Sequence, residues 1–70
     1  MRVSQLERTL KSDDYTCDIH SRFGMYGFVV YDETNGVKEL VSWDFGYYGM
    51  ESAESAALAC ILRCTLGVSV

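Results

Sequence analysis

Proline is absent from this chain, and no serine-rich, glycine-rich or repetitive stretch takes its place. Neither a stiff polyproline spacer nor a flexible linker is therefore indicated, and residues 1–70 read as one domain. No uncharged run approaches the ~20 apolar residues that a membrane-spanning helix needs. The N-terminus lacks a charged segment followed by an apolar run, and the three cysteines, Cys17, Cys60 and Cys64, are an odd number. Together these predict an intracellular, cytoplasmic protein with free thiols. Bases are scarce as well, six against ten acids, and those in the first half are balanced by neighbouring acids, so no basic stripe is available for a phosphate backbone. A chain this short can bury one small core but not a core and a deep substrate cavity. Disulfides, a structural metal or self-association commonly reinforce such a domain.

The charge that is present is segregated. Residues 1–28 hold four acids and four bases, whereas the stretch from Val29 to Glu54 holds Asp32, Glu33, Glu39, Asp44, Glu51 and Glu54 against Lys38 alone. Within that acidic stretch lies Trp43-Asp44-Phe45-Gly46-Tyr47-Tyr48-Gly49-Met50. Acidic and aromatic surface are expected to coincide, which suits a protein partner better than a nucleic acid.

Ser4-Gln5-Leu6-Glu7 fits a helix capping box, and Leu6 and Leu10 share a helical face, so a short first helix is expected to end at Ser12-Asp13-Asp14. From Tyr15 to Arg22 the pattern alternates with period two and predicts a half-buried strand. Phe23 to Gly27 is read as a turn, Phe28 to Asp32 as a second strand, Asn35-Gly36 as a hairpin tip, and Val37 to Trp43 as a third strand. A two-residue tip would set Phe28 opposite Trp43 and Val30 opposite Val41, but Asp32 opposite Glu39. A three-residue tip would pair Asp32 with Lys38, which the charges prefer. Burial of Phe28 with Trp43 outweighs a solvated carboxylate pair and favours the shorter loop. Ala53, Ala56, Ala57, Cys60, Ile61 and Cys64 then form one stripe of a C-terminal helix, flanked by Leu58 and Leu62 and stopped at Gly67. The expected fold class is α+β, with order α-β-β-β-α and helices packed on one face of a three-stranded antiparallel sheet.

Chemical motifs are weak. Cys17 and His20 with Cys60 and Cys64 name a zinc ligand set, but residues three apart in a strand point to opposite faces, and the helical cysteines belong to the apolar stripe. No metal and no other cofactor is expected. Asp18, His20 and Ser21 make no triad, because Ser21 points away and no oxyanion site accompanies it. Asp44-Phe45-Gly46 matches a kinase magnesium motif with every other kinase part missing. No catalytic residue is assigned, and the chain reads as a non-enzyme. Trp43 and Phe45 are expected in the core. Tyr47 and Tyr48, between two glycines, cannot both turn inward, and tyrosines beside acids suit an interface anchor.

The order α-β-β-β-α ending in an alanine-rich helix resembles the double-stranded-RNA-binding domain. In that family a basic Lys-Lys-x-Ala-Lys cluster at the start of the last helix grips phosphates; here the matching residues are Met50-Glu51-Ser52-Ala53-Glu54. With carboxylates where that family carries bases, the resemblance implies that its RNA binding is lost or inverted; a nucleic-acid-binding module of this fold that uses the opposite sheet face, with Thr16, His20 and Arg22, is the alternative function. By its size, its single α+β module and its concentrated acids, the chain also resembles the small phage-encoded inhibitors of the anti-CRISPR type. That likeness implies a phage or mobile-element protein in the host cytoplasm. It would block a basic, nucleic-acid-receiving host surface by DNA mimicry, through Asp44, Tyr47, Tyr48, Glu51 and Glu54 with Asp32, Glu33 and Glu39. Apolar residues on both hairpin faces, Phe28, Val30 and Val41 on one and Val29, Tyr31 and Leu40 on the other, leave a homodimer open.

Overall fold

The structure, a computed structural model, describes residues 5–67. Strands β1 (Gln5–Ser12), β2 (Tyr15–Arg22), β3 (Met25–Asp32) and β4 (Glu39–Tyr47) form an antiparallel meander in that spatial order. Helix α1 (Met50–Leu66) crosses one face of it, chiefly over β3. The order is β-β-β-β-α. The expected α-β-β-β-α order with a three-stranded sheet is wrong at its first element, and the topology that suggested a double-stranded-RNA-binding domain goes with it.

The reason lies in how the first segment satisfies its backbone. Ser4 of the capping box lies outside the described residues. A two-turn helix is marginal in water, whereas pairing with the free edge of β2 satisfies the same backbone groups in a ladder from Gln5↔Ser21 to Ser12↔Tyr15. Asp13-Asp14 makes the connecting two-residue turn, with Asp13 at φ 54°, a conformation that aspartate tolerates. Phe23-Gly24 makes the next one just as tightly, at φ 55° and 78°, so β3 begins at Met25 rather than after Gly27.

Pairing along the sheet generates two sets of cross-strand rows. Toward α1 lie the rows Leu10·Cys17·Val30·Ser42 and Arg8·Ile19·Phe28·Asp44. Their middle members Cys17, Ile19, Phe28 and Val30 meet Ala53, Ala57, Cys60 and Ile61 of the helix to make the core. The small helical residues let α1 lie close, and the expected stripe is confirmed, with Ala56 and Cys64 packed at its margin. Gly67 ends the helix in the left-handed region at φ 70°, its N–H donating to the Cys64 carbonyl at 3.2 Å.

The β3–β4 hairpin departs from its expected register. Its loop spans residues 33–38 rather than two residues, although Asp32 does stand opposite Glu39. The Thr34 N–H and hydroxyl both donate to Asp32 Oδ1, at 2.8 and 2.5 Å. The Glu33 N–H donates to the Asp14 carbonyl at 2.7 Å and folds the loop back toward the β1–β2 turn. Such side-chain and cross-turn bonds stabilise a longer loop that a two-residue tip could not make. Past Leu40 a bulge at Val41 shifts the pairing by one, so that Val29, not Phe28, faces Trp43.

Candidate functional site

Because side chains alternate along a strand, each extra residue moves all that follow to the other face. The Val41 bulge therefore carries Trp43 and Phe45 out of the core, where they were expected, onto the face that α1 does not cover. A second bulge at Gly46 follows, at φ 116°, where a side chain would be strained. It turns Tyr47 back beneath the helix side, where its ring lies 6.1 Å from that of Phe28. A third bulge, at Glu7, puts Leu6 on the open face while Leu10 stays on the core side.

The open face consists of three rows: Leu6·His20·Gly27·Phe45, Thr9·Asp18·Val29·Trp43 and Lys11·Thr16·Tyr31·Leu40. It grades from polar at β1 and β2 to apolar at β3 and β4. Trp43 is 65 % exposed, Leu40 62 %, Leu6 54 % and Phe45 41 %. Gly27 leaves a gap in the first row that the Phe45 ring occupies; an added Cβ there would overlap the ring and stand 2.7 Å from the Asp44 carbonyl. Around this gap His20, Arg22, Val29, Tyr31, Trp43 and Phe45 line an open groove of about 520 Å³. His20 Nδ1 is buried there with no hydrogen-bond partner among the described residues. The groove holds no convergent nucleophile, base and oxyanion donor, and no group of metal-ligating side chains occurs among the described residues.

The acids are arranged differently from a continuous surface. Glu54 accepts from Arg8 Nη1 at 2.5 Å, and Glu33 accepts from the Thr16 hydroxyl at 2.5 Å while Lys11 Nζ lies 3.7 Å away. The Thr16 bond is the main cause that holds the Glu33 carboxyl below its ordinary range, and the two Thr34 bonds do the same for Asp32. Asp44 accepts from the Phe45 N–H and from the Tyr47 hydroxyl, each at 2.9 Å, and the phenol of Tyr47 is pushed up chiefly by that bond. Glu39 and Glu51 are exposed, with no side-chain hydrogen bond or ion pair among the described residues. Tyr48 projects at 87 % exposure. Of the eight site residues expected from the sequence, Asp32, Glu33 and Glu39 sit at the β3–β4 loop, and Asp44, Tyr47, Tyr48, Glu51 and Glu54 gather where β4 passes into α1.

Cys17 and Cys60 are buried and free, and burial pushes the Cys17 thiol up to about 11, far from a reactive thiolate. Val29, Tyr31 and Leu40 share this face as the sequence indicates, with Thr16 and His20 beside them, whereas Trp43 and Phe45, expected in the core, join it only through the Val41 bulge. The signal that could have found it was Gly27 inside a strand pattern, which marks a bulge or a close approach. No family model, curated protein or solved structure matches this chain.

Proposed function

We propose that this chain is a non-enzymatic protein-binding inhibitor or adaptor that docks its open sheet face on a partner. The observation that carries this reading is the uncovered apolar half of the face, Leu40, Trp43 and Phe45, in a chain with few large buried side chains. Monomeric proteins rarely leave contiguous apolar surface of this kind without a binding role. Trp43 and Phe45 are the anchors, since large rigid aromatics supply most interface energy when desolvated. Glu39, Glu51 and Tyr48 are exposed outside that face, and the two carboxylates steer association toward a basic surface at long range rather than hold it. An anti-CRISPR-like block of a nucleic-acid-receiving host complex in the cytoplasm belongs to this reading. Phosphate mimicry by all six acids is a smaller part of it, since Glu33 and Glu54 already pair with Lys11 and Arg8.

The test is affinity capture from a bacterial lysate, followed by kinetics on the captured partner. Trp43→Lys is expected to raise the dissociation rate at least ~10-fold, and Glu51→Lys to slow association in low salt. Capture and dissociation indifferent to Trp43→Lys would sink the proposal.

One observation favours a second reading, stacking of unpaired nucleobases on the face: His20 and Arg22 line the same groove as Tyr31, Trp43 and Phe45. Quenching of Trp43 emission by a single-stranded oligonucleotide at low salt would support it, and an unaltered spectrum would dismiss it.

A further inference from the structure

We infer that the open sheet face of the free protein is covered by a second copy of this chain, packed face to face about a two-fold axis. The inference rests on the docking reading above and names the occupant.

The first argument is the poverty of the core. Its largest fully buried side chains are Ile19, Val30 and Cys17, whereas Leu40, Trp43 and Phe45 stand mostly or partly in water on the other side of the same sheet. A domain of this size gains little from one such core, and a facing sheet supplies a second. The second argument is area. The molecule measures 33 × 24 × 17 Å, the short dimension fitting its two layers. A standard stable interface of ~800 Å² per partner would therefore take up the broad face as a whole, its polar half included.

Charge supplies the third argument. Two chains of formal charge −4 repel unless their acids point apart. Asp44 turns its carboxylate to the Tyr47 hydroxyl, and Glu54 is bound to Arg8 on the helix side. On the open face Asp18 accepts from the Thr9 hydroxyl at 3.0 Å and Glu33 lies beside Lys11, both away from the apolar half. The charges nearest the apolar half are bases, Arg22 lining the groove and Lys38 4.9 Å from the Tyr31 ring, so the two halves can meet without setting acid against acid, with β1 and β2 as a polar rim. The geometry is that of a sandwich with its inner faces ~10 Å apart. Another exposed apolar feature among the described residues, Leu58, Leu62 and Leu66 on α1, is a single row and too narrow to make an equal interface.

A heterologous partner of the face then competes with the second copy. Sedimentation equilibrium of the full chain from about 1 to about 100 µM tests the inference. The expected mass rises to twice 7.9 kDa, with Trp43 emission moving to shorter wavelength as it does. Trp43→Lys and Leu40→Lys, both at exposed positions, should each weaken association at least ~10-fold with the far-UV circular dichroism retained. A monomer across the whole range overturns the inference, as does a dimer that persists in both lysine variants. A monomeric wild type whose captured partner is lost on Trp43→Lys overturns the second copy and keeps the docking reading. A face-dependent dimer whose captured partner is indifferent to Trp43→Lys supports the second copy and removes the docking of that partner.

Discussion

Changing Gly27 to Ala sets local preference against tertiary packing, and the two predict opposite signs. Gly27 occupies β3 between His20 of β2 and Phe45 of β4, and it is not one of the left-handed residues. On backbone grounds alone, alanine in a strand interior should stabilise the fold by ~0.5–1 kcal/mol. The added methyl, however, would overlap the Phe45 ring and stand 2.7 Å from the Asp44 carbonyl oxygen. The ring can rotate away, but the carbonyl belongs to the β4 backbone and can retreat only by loosening the pairing of Gly27 with Phe45. Overpacking of this kind costs ~1–3 kcal/mol. The centres of the two ranges leave Gly27→Ala less stable by ~1 kcal/mol. For a domain of this size that lowers Tm by roughly 4–8 °C. Thermal unfolding followed by far-UV circular dichroism, at one fixed chain concentration, measures it, and Trp43 emission reports whether the neighbouring aromatics have moved. A Tm equal to or above that of the wild type would refute the close approach of Phe45 to Gly27.

Three further outcomes follow from the same structure. Ile19→Ala, which empties a fully buried position between sheet and helix, should cost ~2–5 kcal/mol in a urea titration, and a loss below 1 kcal/mol would contradict the core assignment. The Cys17 thiol, raised by burial to about 11, favours the protonated form in the fold. Its contribution should be fully present below the ordinary thiol range and lost as pH rises toward 11, and alkylation of Cys17 at neutral pH should await unfolding; rapid native-state labelling would count against it. The Asp32 and Glu33 carboxyls are held below their ordinary range. Their contribution should be fully present above that range and lost as pH falls from it through the lowered folded-state range, and Thr16→Val should flatten the acid limb of a stability profile, chiefly through Glu33.

Local signals made part of this fold readable. The alternation from Tyr15 to Arg22 needed no neighbour to declare a strand, and the spacing of Ala53, Ala57, Cys60 and Ile61 with Gly67 beyond declared a helix, its buried side and its stop. The first segment was not readable in that way. Leu6 and Leu10, four apart, suit one face of a helix and equally one face of a strand, and only the free edge of β2 decides between them. Of the expected site, the separation of Tyr47 from Tyr48 was visible from the glycines that flank them. The state of the carboxylates was not, since the bonds of Glu54 to Arg8 and of Glu33 to Thr16 span 46 and 17 residues.

By itself, the sequence determined the elements whose periodicity is local, and the existence of a chain rich in acids and aromatics with no catalytic motif. Tertiary structure alone decided which face the aromatics occupy. The single extra residues at Glu7, Val41 and Gly46 leave the apolar count of the chain unchanged, yet each reverses the alternation of every side chain beyond it. A bulge exists only relative to a partner strand, so the exposure of Trp43 and Phe45 is a property of the assembled sheet.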